Sequence, residues 1–116
     1  MPWFKVDDAL ATHPKALRAG NAAMGLWVRA GSWSMQHLTD GHVPDHVLPT
    51  LGTTTEARRL VEAGLWTRSV DGFTFHDWGE RQPSREQVEQ DRADAAERQR
   101  VAREKRRQAR DSGGKS

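Results

Sequence analysis

Seven of the thirteen residues from Arg98 to Arg110 are basic: Arg98, Arg100, Arg103, Lys105, Arg106, Arg107 and Arg110 stand against one acid, Glu104. On a helix, positions 103, 106, 107 and 110 fall at i, i+3, i+4 and i+7 and form one cationic stripe. A stripe of this kind attracts a polyanion by displacing the counterions of its phosphates. An acidic protein partner or an anionic membrane would use the same charges, and a plain solvated helix end would carry them with no partner at all. The lack of a large apolar face argues against insertion into a membrane.

A second set of residues has the chemistry to read bases. Thr53-Thr54-Thr55-Glu56 is a capping box, and the helix it opens carries Ala57, Leu60 and Val61 on one stripe. Thr54, Thr55, Arg58, Arg59 and Glu62 are left on the other face. Arginine can fork onto guanine O6 and N7, and threonine or a helix N-terminus can hold phosphate. The plain alternative is a solvated face with Arg58 paired to Glu62 at i,i+4.

Other chemistries find little support. No nucleophile stands with a base, and there is no glycine-rich phosphate loop and no carboxylate pair of defined geometry, so no enzyme and no cofactor is expected. His37, His42 and His46 lack regular spacing, and Pro44 separates the last two, so no metal site is expected. His76 and Asp77, read as neighbours on a strand, point to opposite faces and cannot cooperate. The absence of cysteine excludes a disulfide framework and fits a reducing compartment. No apolar run approaches the roughly 20 residues that cross a bilayer, and Met1-Pro2-Trp3-Phe4-Lys5 is not followed by the apolar stretch of a signal peptide.

These residues must be held by something, and the chain of 116 residues is long enough for one domain. All five tryptophans and all three phenylalanines precede residue 79, so the core lies in 1–82. Charge divides the chain in the same way. The net charge of +2 combines eight bases and nine acids in residues 1–83 with ten bases and seven acids in 84–116.

Trp3 to Asp7 is β-prone and reads as a strand. Pro14 opens a helix that Gly20 closes, and a second helix spans Ala22 to about Gln36, apolar nearly all round and so buried. Asp40-Gly41 marks a tight connection, with a short strand at His42-Val43. Asp45 is a natural N-cap for a short helix to Leu51, in which Pro49 sits awkwardly. Gly52 separates that helix from residues 54–63, which stop at Gly64. Residues 65–78 read as a hairpin with Asp71-Gly72 as a type I′ turn. Trp27, Trp33, Trp66 and Trp78 are expected to pack in the core rather than stack on bases. Ser84-Arg85-Glu86-Gln87 is a second capping box and starts a long helix to about Arg110. Its heptad of Val88, Ala95, Ala102 and Ala109 has Arg92, Gln99 and Arg106 where the second apolar position should be, too thin for a coiled-coil seam.

Two short helices joined through a glycine and followed by a hairpin make a winged helix-turn-helix. The expected architecture is therefore mostly α with a small β-hairpin: a winged helix-turn-helix over 1–82, a charged, C-terminally basic helix over 83–111 and a disordered tail over 112–116. In it the helix 54–63 enters the major groove and Arg68, on the wing, touches phosphate.

Trp3-Phe4-Lys5-Val6-Asp7-Asp8, His13-Pro14-Lys15 and Gly25-Leu26-Trp27 resemble the winged-helix domains at the N-termini of phage and prophage replication proteins, the replisome organisers related to the DnaD-type domain. Gly64-Leu65-Trp66, Phe75-His76-Asp77-Trp78 and the charged tail after Gln82-Pro83 are similar to small actinobacterial and actinophage proteins of that kind. The resemblance covers roughly residues 1–83. It implies binding of origin or regulatory double-stranded DNA in a bacterial cytoplasm, at the nucleoid, with a role in replication initiation or transcription regulation and contact with a replication or transcription protein. The replication proteins usually carry a further domain for contacting a helicase loader, which this chain lacks. A different class of function remains open: a protein-interaction adaptor in which the long helix docks partners or forms a homodimer.

Overall fold

The computed structural model describes residues 2–113. It divides into two units, residues 1–84 and 85–116.

In the first unit α1 (Pro14–His37) forms the centre. Pro14 sits in its first turn, where the missing N–H is no loss, and His13 caps it by accepting from the Lys15 N–H through Nδ1 at 3.2 Å. Gly20 interrupts the helical geometry with φ 84° and ψ 164°, so the chain kinks at the glycine expected to break it. Ala19, Ala23, Leu26, Ala30, Ser34 and Met35 form its buried face. Leu17, Val28 and other positions stay exposed, so the helix is buried on one side rather than all round.

Three short strands follow: β1 (His42–Pro44), β2 (Trp66–Arg68) and β3 (Gly72–Phe75), antiparallel in the order β1-β3-β2. Between β1 and β2 lie α2 (Leu48–Leu51) and α3 (Thr54–Glu62), and α4 (Trp78–Arg81) follows the sheet. The α1 and α3 helices pack against each other, and Ala19 and Ala23 of α1 and Ala57 and Leu60 of α3 are all buried.

Four expectations are corrected here. Residues 3–7 form no strand. The main chain of Lys5 is instead satisfied by one side chain: its N–H donates to Gln82 Oε1 at 2.9 Å, and its carbonyl accepts from Gln82 Nε2 at 2.7 Å. That leaves Phe4 free to enter an aromatic cluster, 5.0 Å from Trp27, 5.8 Å from Trp78 and 6.0 Å from Phe75 between centroids. Second, Asp45 does not cap α2. That helix begins after Val47, with no side-chain cap and with Pro49 inside its first turn, where proline is tolerated. Third, Asp71-Gly72 is not a type I′ turn. Neither residue has a positive φ, and the loop is centred on Val70 and Asp71, closed by the Ser69 N–H donating to the Gly72 carbonyl at 2.8 Å. Gly72 is needed for another reason: a Cβ there would lie 2.2 Å from the Val43 carbonyl oxygen, across the pairing of β3 with β1. Fourth, Trp33 is only half-buried and stacks on His37 at 4.6 Å. Trp66 and Trp78 are buried.

The second unit is one helix, α5 (Arg85–Gly113), exposed along nearly its whole length. It continues through Ser112 and Gly113, two residues into the segment expected to be a disordered tail; residues 114–116 lie outside the described residues.

Candidate nucleic-acid interface

The α3 helix is fixed from both ends. Thr53 Oγ1 accepts from the Glu56 N–H at 3.1 Å, and Glu56 Oε1 accepts from the Thr53 N–H at 2.8 Å, the reciprocal box expected at this position. At the other end Gly64 takes φ 84°, which terminates the helix before β2. Between these ends Ala57 and Leu60 are fully buried, while Thr54, Thr55, Arg58 and Arg59 are all exposed. Arg58 makes no ion pair with Glu62 among the described residues, so its guanidinium is not spent within the helix.

Arg68 stands differently. Its Nη1 donates to Asp45 Oδ1 at 2.6 Å and its Nη2 to Asp45 Oδ2 at 3.0 Å, and its guanidinium lies 4.7 Å from the centroid of the Phe73 ring. The arginine hydrogen bonds hold the Asp45 carboxyl below the usual carboxylate range, and the carboxylate raises Arg68 in turn. Asp71, at the tip of the hairpin, lies 3.3 Å from His42 Nε2. Arg68 is therefore held by a carboxylate from the loop after β1, and the hairpin's own acid, Asp71, stands at its tip.

Charge is unevenly spread over the first unit. The α1 helix contains Lys15, Arg18 and Arg29 and no acid, and α3 contains Arg58 and Arg59 against Glu56 and Glu62. These two packed helices hold five bases and two acids, whereas the remainder of residues 1–83 holds three bases and seven acids. The near-neutral body is thus a positive helical layer joined to a negative sheet and loops. Arg18, Arg59, Glu62 and Ala63 line one shallow cleft between α1 and α3. The stem of Lys15 lies against Gly64, where a Cβ would be 3.5 Å from its Cε. Arg29 reaches the end of α2 with a long bond, Nη2 to the Thr50 carbonyl at 3.4 Å. Sequence reasoning missed these three α1 cations. The signal was the absence of any acid over 24 residues, which the apolar pattern of the same segment does not reveal.

On α5 the seven bases from Arg98 to Arg110 are all exposed. Arg100 pairs with Glu97 at 2.6 Å and Arg107 with Glu104 at 2.7 Å. Arg106 Nε donates to the Ala102 carbonyl at 3.4 Å. Arg98, Arg103, Lys105 and Arg110 have no partner among the described residues, so Arg103 and Arg110 keep the stripe open.

His76 and Asp77 do meet, against expectation. They follow β3 in a turn where Asp77 adopts a left-handed φ of 61°, which brings its Oδ2 to 3.1 Å from His76 Nε2. Among the described residues no group of three or more His, Asp or Glu side chains is placed to hold a metal ion. No helix of the described residues is long and apolar enough to cross a membrane. No family model, curated protein or solved structure matches the chain.

Proposed function

We propose that residues 1–84 act as a non-catalytic winged-helix module that binds double-stranded DNA, with α3 in the major groove, and that the basic half of α5 adds sequence-independent attraction. The reading places the protein with the phage-type replication or transcription factors its sequence resembles. The observation that carries it is the division of α3. Ala57 and Leu60 anchor one side, while Thr54, Thr55, Arg58 and Arg59 face outward from the other, as a groove-reading helix requires. The α2–α3 pair, the Gly52 link between them and the β1-β3-β2 sheet supply the scaffold of that arrangement.

The test is selection of bound duplexes from a randomised library, followed by gel-shift titration at several salt concentrations. The full chain is expected to enrich one sequence. Arg58→Ala/Arg59→Ala should lose the preference for that sequence and keep most non-specific binding, since each well-made arginine–guanine contact contributes about 1–3 kcal/mol of discrimination. A double variant with unaltered discrimination would defeat the reading.

A further inference from the structure

We infer that the DNA-binding surface extends from α3 onto the exposed edge of α1, where Arg18 and Arg29 contact phosphates, and that the β2–β3 hairpin takes no part. The inference rests on the DNA reading above and specifies its footprint.

Three observations converge on it. The first is the charge division: α1 and α3 themselves carry five bases against two acids, which attracts a polyanion, and Asp7 and Asp8 lie beside a different stretch of α1, lining a cleft with Leu17, Asn21 and Val28. The second is the state of the arginines. Arg68 is held by both oxygens of Asp45 with Asp71 nearby, so bringing phosphate to the hairpin would break a bidentate pair and face two carboxylates. Arg18 carries no ion pair and shares its cleft with Arg59 of the reading helix, and Arg29 gives only one long bond to a carbonyl.

The third is Gly25. It lies inside α1 on the exposed face, and a Cβ added there would meet nothing within 4 Å. An interior helical glycine is destabilising, and nothing within the molecule requires this one. Ala22 and Gly25 stand in the chain between Arg18 and Arg29, both exposed. Past the kink at Gly20, these small side chains next to Arg29 leave room for a sugar-phosphate backbone to lie close against the helix.

The experiment measures fluorescence anisotropy of a labelled 24-base-pair duplex, of the sequence enriched above or of mixed sequence, with the full chain from low to moderate salt. Removing two phosphate contacts should reduce the slope of log K against log salt by about 1.8 and, with binding at 1 M salt unchanged, weaken it about 60-fold at 0.1 M. Arg18→Ala/Arg29→Ala is expected to do both. Arg18→Lys/Arg29→Lys should keep the slope, because the charges remain. Arg68→Ala should stay within about twofold of wild type. Wild-type binding left unchanged by the α1 alanine pair overturns the footprint alone, as does an equal loss in Arg68→Ala. A lysine pair that loses as much as the alanine pair shows a structural effect and also overturns it. A wild-type chain without salt-sensitive binding overturns the DNA reading and the footprint with it.

Discussion

Asp45 grips Arg68 through both carboxylate oxygens, linking the loop after β1 to the end of β2 across 23 residues of sequence. Both side chains are about half exposed, so the pair orders the hairpin more than it stabilises the fold. Its consequence is positional: the arginine that sequence alone offers as a phosphate contact is already engaged.

The pair should respond to acid in a defined direction. Asp45 titrates below the ordinary carboxylate range because Arg68 donates to it. A group whose pKa is depressed on folding contributes fully above its unfolded value, and the contribution disappears as pH falls through the folded one. The Asp45–Arg68 contact should thus persist at neutral pH and open only once the pH has fallen below the range in which an ordinary aspartate titrates. Carboxyl-carbon NMR titration should give Asp45 a lower midpoint than an aspartate in an unfolded peptide. In Arg68→Ala that midpoint should rise toward the peptide value, and an unmoved midpoint would show that the arginine is not the cause.

Gln82 should matter more than a single glutamine usually does. Its amide satisfies both main-chain groups of Lys5 and so secures the arm that delivers Phe4. Gln82→Ala leaves those groups unpaired in a half-buried position, at a cost of about 1–3 kcal/mol. Urea unfolding should show the loss, and amide exchange at Lys5 should accelerate. Protection of Lys5 equal to wild type would mean that something other than Gln82 holds the arm.

Gly31 should resist enlargement. A Cβ there would stand 2.2 Å from Cζ of Phe4 and 2.5 Å from both Cε atoms, so the ring rests on the glycine itself. Gly31→Ala should displace Phe4 and cost about 1–3 kcal/mol by overpacking. In Phe4→Ala the same substitution should be nearly free, giving a double-mutant coupling of similar size. Additive effects would place the strain elsewhere.

The basic half of α5 should govern salt sensitivity rather than sequence preference. Arg103→Ala/Arg106→Ala/Arg110→Ala removes three cations of one stripe and should lower the salt slope of DNA binding by about 2.7. Discrimination between the enriched sequence and random DNA should hardly alter, since phosphate contacts carry no sequence information directly. A loss of discrimination equal to that of the Arg58/Arg59 variant would give α5 a base-reading role instead.

Much of this molecule is written locally. The capping box at Thr53 and Glu56, the break at Gly20, the stop at Gly64 and the apolar stripe of α3 each depend on residues within a few positions of one another, and each stands where sequence places it. The outward set Thr54, Thr55, Arg58 and Arg59 follows from that stripe, because on a helix the buried side determines the exposed one.

Contacts made at a distance decided the rest. Asp45 reads as a cap until Arg68, 23 residues on, takes its carboxylate. Residues 3–7 read as a strand until Gln82, 77 residues from Lys5, replaces a strand partner with one amide. Gly72 reads as a turn glycine, yet it is the approach of the Val43 carbonyl that requires it. Capping and periodicity are properties of neighbours along the chain, so sequence determined the start, the stop and the outward face of α3, whereas α4 begins at Trp78, in a stretch that reads as hairpin. Which cations are left without an ion pair, and that Arg68 is held by Asp45, depends on which side chains meet in space, and only the tertiary structure decided that.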